Sequence, residues 1–294
     1  MRHSLLAEEI AEEFNLKIHG NATRIINGAS ALDEQGVNDI SWVKSASFLD
    51  KINVGCVLVH ESLSLPQKKD VTYLITTENP KVVFSKILTT YFEKGHEYYL
   101  KNEVDKHRLN NEITIADYVF IGQNVTIGKG TVIYPHVSIE ADTIIGENCI
   151  IKSHVTLGTE GLGFAFSSDK KTLVKFPQLG KVIIQNDVEI GPNATVRRGA
   201  LNVTIVRKGT KIGSLVNIGH NCDIGEYSIL TCMNVTSGSS KIGKHCFMGV
   251  GSSIKNGVQL GENVTIGQGA VVTKSFGSNV TLVGMPAKVR YPNE

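Results

Sequence analysis

The chain has 294 residues, enough for one long repeat domain and a second, smaller domain. Its formal net charge of +2 is too near balance to favour nucleic acid or an acidic membrane surface as a partner. We expect no membrane insertion and no signal peptide, since no apolar run approaches a membrane span and Glu8, Glu9, Glu12 and Glu13 interrupt the first apolar stretch. The five cysteines contain no CxxC pair, which indicates a reducing compartment and predicts a cytoplasmic protein.

Residues 1–103 predict a small α/β domain. A first helix is expected after Ser4 as its cap, and a second is expected to open at Asn79-Pro80. Four short strand-like runs lie between them, at 25–26, 40–43, 57–59 and 71–75. The charged stretch 94–108 is expected to be a linker, and Asn110-Asn111 to begin the next domain.

An aliphatic residue then returns at every sixth position. The first run is unbroken from Ile115 to Leu157, and the last, from Val206 to Val272, has Thr236 as its only exception. Six is neither a helical period nor strand alternation, but it is the hexapeptide period of a parallel β-helix. The sequence therefore predicts a mainly β chain, with a left-handed parallel β-helix over residues 104–273 and a tail over 274–294.

Two other positions of the hexad support this fold. Glycine often follows the aliphatic residue, which we attribute to a tight corner that favours a residue without a side chain. The fifth position is small or β-branched, as the narrow interior of a triangular coil requires. Cys149, Cys222 and Cys246 occupy this position, so we expect them to pack inside the wall.

His220 is the strongest candidate for chemistry. It lies two residues after the inward Ile218 and two before the small Cys222, so we expect it on the outer surface of a corner. An outward histidine can act as a general base near neutral pH, and the alternative is an ordinary surface histidine. His136 and His154 are three hexads apart and should stack on adjacent coils, with a metal site as the less favoured alternative.

Several motifs resemble the UDP-3-O-acylglucosamine N-acyltransferase family of the lipid A pathway. They are the segment 38–43, Asn79-Pro80, the loop insertion 158–181 with its GLGF and PQLG sequences, the segment VRRGAL at 196–201 and the segment GHN at 219–221. The resemblance implies that two aromatic rings, Trp42 and Phe48, hold a nucleotide base, with Ser45 where the family usually has Asn. The alternative is that both rings belong to the core of the small domain.

The same resemblance extends to the insertion and the corner. It implies substrate contacts from Glu160, where the family usually has Asp, and from Phe164 and Gln178. The alternative is that the insertion is a decorative excursion. In this family, and in hexapeptide acetyltransferases that modify nucleotide-linked amino sugars, the histidine equivalent to His220 is catalytic. Asn217 and Asn221 could orient that histidine or the sugar.

The ending Gly284-Met285-Pro286-Ala287-Lys288 is typical of hexapeptide acyltransferases that use coenzyme A. It implies acyl-CoA as a co-substrate and no permanently bound cofactor. The lipid A family usually adds a C-terminal helical extension that engages acyl carrier protein, and a second histidine where Gly257 stands; we expect neither here. The expected acyl-CoA contacts are Met248, Gly249, Gly267, Lys274, Gly284 and Lys288.

These features predict an N-acyltransferase that moves a short hydroxyacyl or acetyl group from acyl-CoA to the amine of a nucleotide-linked amino sugar. The expected acceptor is dTDP-4-amino-4,6-dideoxyglucose, as in surface-glycan pathways such as that of anthrose. One alternative is the lipid A enzyme itself, with a hydroxyacyl carrier protein as donor. The other is a non-catalytic or metal-binding β-helix scaffold. Proteins of this fold are usually homotrimers, with active sites between neighbouring β-helices.

Overall fold

A computed structural model describes residues 4–108 and 112–290. The chain divides into two compact units. The first is Met1–Glu93 with Leu162–Leu179, and the second is Lys94–Gly161 with Gly180–Glu294. Most of the predicted insertion 158–181 therefore belongs to the same unit as the N-terminal residues. Asn110 and Asn111, the predicted start of the repeat domain, lie outside the described residues.

The first unit is built on a five-stranded sheet. Its strands in spatial order are Lys17–His19, Val71–Thr76, Gly55–His60, Asp39–Trp42 and Gly28–Ala29. The first pair is antiparallel and the others are parallel. The remaining elements are the strands Leu5–Leu6 and Ile25–Ile26, the helices Ala7–Glu13 and Pro80–Tyr91, the 3-10 helices Leu32–Glu34 and Ala46–Lys51, and the hairpin strands Phe164–Phe166 and Leu173–Lys175.

The two helices begin for different reasons. The first starts at Ala7 and not after Ser4, because Leu5 and Leu6 pair with Ile25–Ile26 as a short antiparallel strand. The Glu9 carboxylate instead accepts the Leu6 N–H at 2.6 Å. The second helix starts as predicted, with Asn79 Oδ1 accepting the Lys81 N–H at 3.0 Å and proline in the first turn.

The insertion packs against the start of this second helix. Asn79 Nδ2 donates to the Phe166 carbonyl at 3.1 Å, and the Asn79 N–H donates to Ser168 Oγ at 3.0 Å. The rings of Phe84 and Phe176 lie 6.1 Å apart. These contacts make the hairpin a packed part of the first unit.

The second unit begins with two short helices, His96–Leu100 and Val104–Arg108, where the sequence predicted a linker. It continues as a left-handed parallel β-helix, which confirms the predicted fold class. Strand partners such as Thr126 and Ile144 are one coil, or three hexads, apart. Within the described residues, three sheets of seven, eight and ten strands form its faces.

The first sheet of the β-helix consists of Thr126–Ile127, Ile144–Ile145, Lys181–Ile184, Val203–Val206, Asp223–Ile224, Lys241–Ile242 and Gln259–Leu260. The second consists of Phe120–Ile121, Ser138–Ile139, Thr156–Thr159, Thr195–Arg197, Asn217–Ile218, Val235–Thr236, Ser253–Ile254 and Val271–Val272. The third consists of Thr114–Ile115, Val132–Ile133, Ile150–Ile151, Glu189–Ile190, Lys211–Ile212, Ile229–Leu230, Phe247–Met248, Thr265–Ile266, Thr281–Val283 and Lys288–Arg290. Only the last pair of the third sheet is antiparallel. Among the described residues, no helix has the length and apolar character that crossing a membrane would need.

The interior of the β-helix follows the hexads. The aliphatic positions form one continuous buried core, and Cys149, Cys222 and Cys246 lie within it as predicted. Thr236, the exception in the aliphatic series, is also buried, and its hydroxyl donates to the Cys222 sulfur at 3.7 Å. Burial is the main reason that the pKa of the Cys222 thiol is raised.

Glycine is required at the hexad positions after the aliphatic residue for a different reason from the tight corner that the sequence predicted. These glycines do not adopt left-handed φ angles, which occur two residues later, for example at Asn148 and Tyr227. A Cβ on Gly225 would lie 2.3 Å from the carbonyl carbon of Gly243. The glycine is therefore required because successive coils approach too closely for a side chain.

A carboxylate ties the segment before the β-helix to one of its coils. Asp142 accepts hydrogen bonds from Lys94 Nζ at 3.1 Å, Tyr98 Oη at 2.7 Å and Asn124 Nδ2 at 2.8 Å. Burial alone would raise the pKa of Asp142, but these hydrogen bonds and the Lys94 charge hold it below its ordinary value. Burial, and then the hydrogen bond to Asp142, raise the pKa of the Tyr98 hydroxyl.

We expect Asp142→Asn to lower the free energy of unfolding at pH 7 by about 1–3 kcal/mol, the range for hydrogen bonds to a charged group. Because the pKa is depressed in the folded state, this stabilisation is present above the unfolded pKa of about 4 and is lost as the pH falls through the folded pKa. Urea denaturation of both proteins at neutral and acidic pH measures it. A difference between the two proteins that stays constant on acidification would contradict this role.

Candidate functional site

His220 lies at the corner between strand Asn217–Ile218 of the second sheet and strand Asp223–Ile224 of the first. The residue is half-buried, and its Nδ1 atom is shielded from solvent. The ring lies directly over Gly238, since a Cβ on Gly238 would be 2.4 Å from His220 Nε2 and 2.7 Å from Cε1. His220 is thus outside the core, as predicted, with its imidazole pressed against the next coil.

Successive coils place four residues in one column at this corner: His220, Gly238, Asn256 and Lys274. The strand register Asn217–Val235–Ser253–Val271 sets the column. The Gly238 carbonyl accepts hydrogen bonds from Asn256 Nδ2 at 2.5 Å and from the Gly257 N–H at 3.0 Å. With strands about 4.8 Å apart, Lys274 lies three coils, or about 14 Å, along the column from His220.

The two asparagines near His220 have different surroundings. Asn221 has a left-handed φ of 56°. Its Oδ1 accepts the Ala200 N–H at 2.7 Å, so this atom fixes the preceding coil and is not directed at the imidazole. Asn217 lies half-buried in the strand that leads to the corner.

The arginines of the VRRGAL segment hold the place where the insertion leaves the β-helix. Arg198 is only 2% exposed, and it donates to the carbonyls of Gly158 at 2.6 Å and Ala141 at 2.8 Å. Its guanidinium also lies 5.3 Å from the centre of the Tyr99 ring. Arg197 donates to the Glu160 carbonyl at 2.9 Å. A buried guanidinium is tolerated because carbonyl groups satisfy its N–H donors, so Arg198 is a structural anchor that the sequence analysis missed.

The residues predicted to contact acyl-CoA are not equally available. The structure contradicts the predicted contact between the Met248 side chain and acyl-CoA. This side chain is fully buried in the core, and the Met248 carbonyl accepts the Thr231 hydroxyl at 2.6 Å. The hexad period points this position inward, which leaves no side-chain surface for a ligand.

The other predicted acyl-CoA residues lie near the end of the β-helix. Gly249 is pressed against the coil that contains Gly267, since a Cβ on it would lie 2.6 Å from the Gln268 nitrogen. Gly284 has a left-handed φ of 89° after the strand Thr281–Val283. Lys274 is exposed, with its Nζ 5.5 Å from the Phe276 ring centre, and Lys288 is exposed in the last strand.

The predicted histidine stack is confirmed. The rings of His136 and His154 lie 4.9 Å apart and 7° from parallel, and Tyr118 continues the stack at 5.2 Å from His136. Within residues 4–108 and 112–290, no three histidine, cysteine or acidic side chains are grouped so that they could hold a metal ion.

In the first unit, Trp42 ends the strand Asp39–Trp42 and is half-buried. Ser45 precedes the 3-10 helix Ala46–Lys51, which contains Phe48. Phe48 is 41% exposed, whereas its neighbour Leu49 is 2% exposed and fills the core. Phe48 is therefore a surface ring, against the alternative that it belongs to the core.

The insertion adds a second exposed ring and a buried amide to this unit. Phe164 is 44% exposed, and Gln178 is buried beside Gly163. Lys81 Nζ lies 3.4 Å from the Phe164 carbonyl oxygen. Burial, and then the neighbouring charge of Lys44, lower the pKa of Lys81. These two lysines were not predicted as site residues, although Lys44 follows Trp42 by two residues and Lys81 follows the Asn79-Pro80 motif directly.

Comparisons with known proteins agree with the repeat architecture. Residues 124–159 match the family described as bacterial transferase hexapeptide (six repeats), and residues 241–274 match the hexapeptide repeat of succinyl-transferase. The solved structure of Francisella novicida UDP-N-acetylglucosamine acyltransferase is similar in fold, with a TM-score of 0.54, 24% identity, and coverage of 63% of this chain and 68% of that one.

Relatives that share one name match larger parts of the chain than the two repeat families do. A UDP-3-O-acylglucosamine N-acyltransferase of Herminiimonas arsenicoxydans is 37% identical over 158 residues, which are 53% of this chain and 44% of the relative. The chain thus spans less than half the length of that relative. One of Cupriavidus pinatubonensis is 26% identical over 301 residues, covering 91% of this chain and 83% of the relative.

The contact between His220 and Gly238 can be tested on the folded protein. We expect Gly238→Ala to displace the imidazole and to lower stability by about 1–3 kcal/mol, the usual cost of overpacking. The matched control is Gly277→Ala, where a Cβ would meet nothing within 4 Å. Histidine side-chain NMR signals and thermal unfolding measure both effects. Unchanged His220 signals in Gly238→Ala would show that the ring does not rest on this glycine.

Proposed function

We propose that this chain, a hexapeptide-repeat protein similar to the UDP-3-O-acylglucosamine N-acyltransferases, transfers an acyl group from a thioester to the amine of a nucleotide-linked amino sugar. The observation that carries the proposal is His220, held at a corner of the β-helix over the peptide of Gly238. A histidine in this setting is suited to general-base catalysis near neutral pH.

The proposed reaction is direct transfer. His220 removes a proton from the attacking amine, whose nitrogen forms a bond to the thioester carbonyl carbon. The resulting oxyanion is stabilised by a backbone N–H of a neighbouring coil, and the Gly238 peptide is the nearest candidate. The C–S bond then breaks, and the thiolate takes the proton from His220 as it leaves. The products are an amide and a free thiol, and the histidine returns to its starting state.

Nucleotide recognition is assigned to the first unit. The exposed ring of Phe48 and the half-buried Trp42 can stack on a base, and stacking tolerates different bases. The neighbouring charges of Lys44 and Lys81 suit a diphosphate. Ser45, Phe164, Glu160 and Gln178 remain candidates for further contacts with the nucleotide sugar.

Two acceptors are proposed in order. UDP-3-O-acylglucosamine comes first, because the relatives that match this chain carry that name, and this reverses the order that the sequence alone suggested. A dTDP-4-amino-4,6-dideoxyglucose acceptor comes second. It is favoured by Ser45 and Gly257, which stand where the lipid A family usually has Asn and a second histidine.

The proposed donor is acyl-CoA, and acyl carrier protein is the alternative. Lys274 supports CoA, because it adds a positive charge to the column of His220 at about 14 Å, within reach of an extended thioester arm. Lys288, Gly249, Gly267 and Gly284 would contact the same ligand. The five cysteines are free, which favours a reducing compartment, so we propose that the reaction takes place in the cytoplasm.

An apolar surface on the β-helix supports a homotrimer. Leu215 and Met233 are exposed at successive coils of the corner between the third and second sheets, and Ile229, Phe247 and Val235 are exposed beside them. Contiguous exposed apolar side chains mark protein–protein contacts more often than solvent-facing walls. A second wall would also exclude water from an outward-facing histidine.

Thiol release with purified protein tests the function. Donors are acetyl-CoA, 3-hydroxybutyryl-CoA and a long-chain hydroxyacyl carrier protein, and acceptors are UDP-3-O-acylglucosamine and dTDP-4-amino-4,6-dideoxyglucose. We expect turnover with one nucleotide sugar and one class of donor. Absence of turnover with every pair, together with no thermal stabilisation by CoA, would favour the scaffold alternative.

We expect His220→Ala to reduce turnover by about 100- to 10,000-fold, the usual contribution of a general base, with little change in thermal unfolding. His136→Ala is the matched control, because His136 is an exposed histidine elsewhere on the same β-helix and should leave turnover unchanged. Near-native turnover of His220→Ala would contradict the mechanism.

Sedimentation measures the proposed assembly. We expect a trimer for the wild type and a shift toward monomer when Leu215→Glu and Met233→Glu are combined, since burying two carboxylates at an apolar contact is unfavourable. A wild-type monomer with full activity would contradict the trimer.

A further inference from the structure

The exposed ring of Phe48 is carried by a short 3-10 turn. The 3-10 helix Ala46–Lys51 is held from below by the buried side chains of Leu49 and Ile52. At its two ends, the Phe48 N–H donates to the Ser45 carbonyl and the Ile52 N–H donates to the Leu49 carbonyl, both at 3.2 Å. The last carbonyl groups of a helix have no N–H partner within that helix, so they need donors from elsewhere.

The ammonium group of Lys68 supplies those donors. Lys68 Nζ donates to the carbonyl oxygens of Leu49 at 3.0 Å, Asp50 at 3.1 Å and Ile52 at 2.5 Å. A lysine ammonium has three N–H groups, so these three bonds use its full capacity. One side chain therefore closes the C-terminal end of the turn that presents Phe48.

Lys68 is itself fixed by the sheet. The hydroxyl of the fully buried Tyr73 donates to the Pro66 carbonyl at 3.2 Å, and the Val71 N–H donates to the Lys68 carbonyl at 3.3 Å. These two bonds connect the segment that carries Lys68 to the sheet strand Val71–Thr76. The contacts form a continuous connection from that strand to the turn of Phe48.

We propose that Lys68 is a positioning residue for nucleotide binding: it holds the Ala46–Lys51 turn so that Phe48 is ready to stack on a base before the ligand arrives. The inference rests on the proposed nucleotide site, and it adds a residue whose ammonium is fully used by the protein and does not contact the ligand. A turn that is already ordered in the free protein does not have to be ordered at the moment of binding. Loss of the Lys68 ammonium should therefore weaken nucleotide affinity and leave the chemical step unchanged.

Intrinsic fluorescence can follow binding without added probes. Trp42 is the single tryptophan of the chain, so all tryptophan emission reports on the candidate base site. UDP and dTDP are titrated separately into the full-length wild type and into Lys68→Met, Lys68→Arg and Lys69→Met. Lys69 is the exposed sequence neighbour of Lys68 and serves as the matched control.

We expect Lys68→Met to raise the Kd of the better nucleotide about five- to tenfold, the size expected for ordering one or two side chains on binding. Lys68→Arg keeps the charge and several donors, so its Kd should be closer to that of the wild type. The control Lys69→Met should have the Kd of the wild type. In the acyl-transfer assay, KM for the nucleotide sugar should rise for Lys68→Met, with kcat retained. Wild-type affinity in Lys68→Met would overturn the positioning role and leave the proposed function standing.

Two further results keep the roles distinguishable. If neither nucleotide changes Trp42 emission in the wild type, the nucleotide site is overturned and this inference with it. If Lys68→Met does not fold, hydrogen exchange of the wild type decides the question. The Phe48 and Ile52 amides should be protected before nucleotide is added. Fast exchange that slows only with bound nucleotide would show that the turn is not ordered in advance and would overturn the inference.

Discussion

The close approach of successive coils is the constraint on which the β-helix depends. At the corners, backbone lies against backbone with no room for a Cβ, as at Gly225 over Gly243 and at Gly219 against the Gly238 nitrogen. The same approach lets a polar side chain of one coil satisfy a carbonyl of the next, as Ser228 does for Gly243 at 3.1 Å. Because each coil is fixed to its neighbours in this way, side chains three hexads apart are brought together with little freedom.

The candidate site follows directly from that constraint. The coils approach closely at Gly219, beside the Gly238 nitrogen, and the space where Gly238 lacks a side chain is filled by the His220 ring. The Gly238 carbonyl is held from the next coil by Asn256, and the preceding coil is held by Asn221 through the Ala200 N–H. The Gly238 peptide under the imidazole and the coil that precedes His220 are therefore each held by an asparagine whose first role is structural. A rigid scaffold fixes a candidate catalytic group in this way.

How much was predictable differs between the two units for a physical reason. In the β-helix, the hexad period determines the strands, the inward positions and the placement of His220, because one local rule repeats at every coil. It did not reveal Arg198, whose burial depends on carbonyls at Gly158 and Ala141, far from it in sequence. Met248 was expected to contact acyl-CoA even though its hexad position points inward, so the period itself predicted the burial that the structure shows.

In the first unit no repeat exists, and the outcome was decided by contacts between distant segments. Ser4 was expected to cap a helix, but pairing of Leu5 and Leu6 with the strand Ile25–Ile26 moves the start of that helix to Ala7. The role of Lys68 depends in the same way on three carbonyls that are 16 to 19 residues away in the chain. The repeat unit places His220 on a frame that tolerates little change, whereas Phe48, a ring of the proposed base site, stands on a turn held by Lys68. Because such contacts join distant segments, the reaction class that we propose follows from the sequence more directly than the identity of the nucleotide sugar.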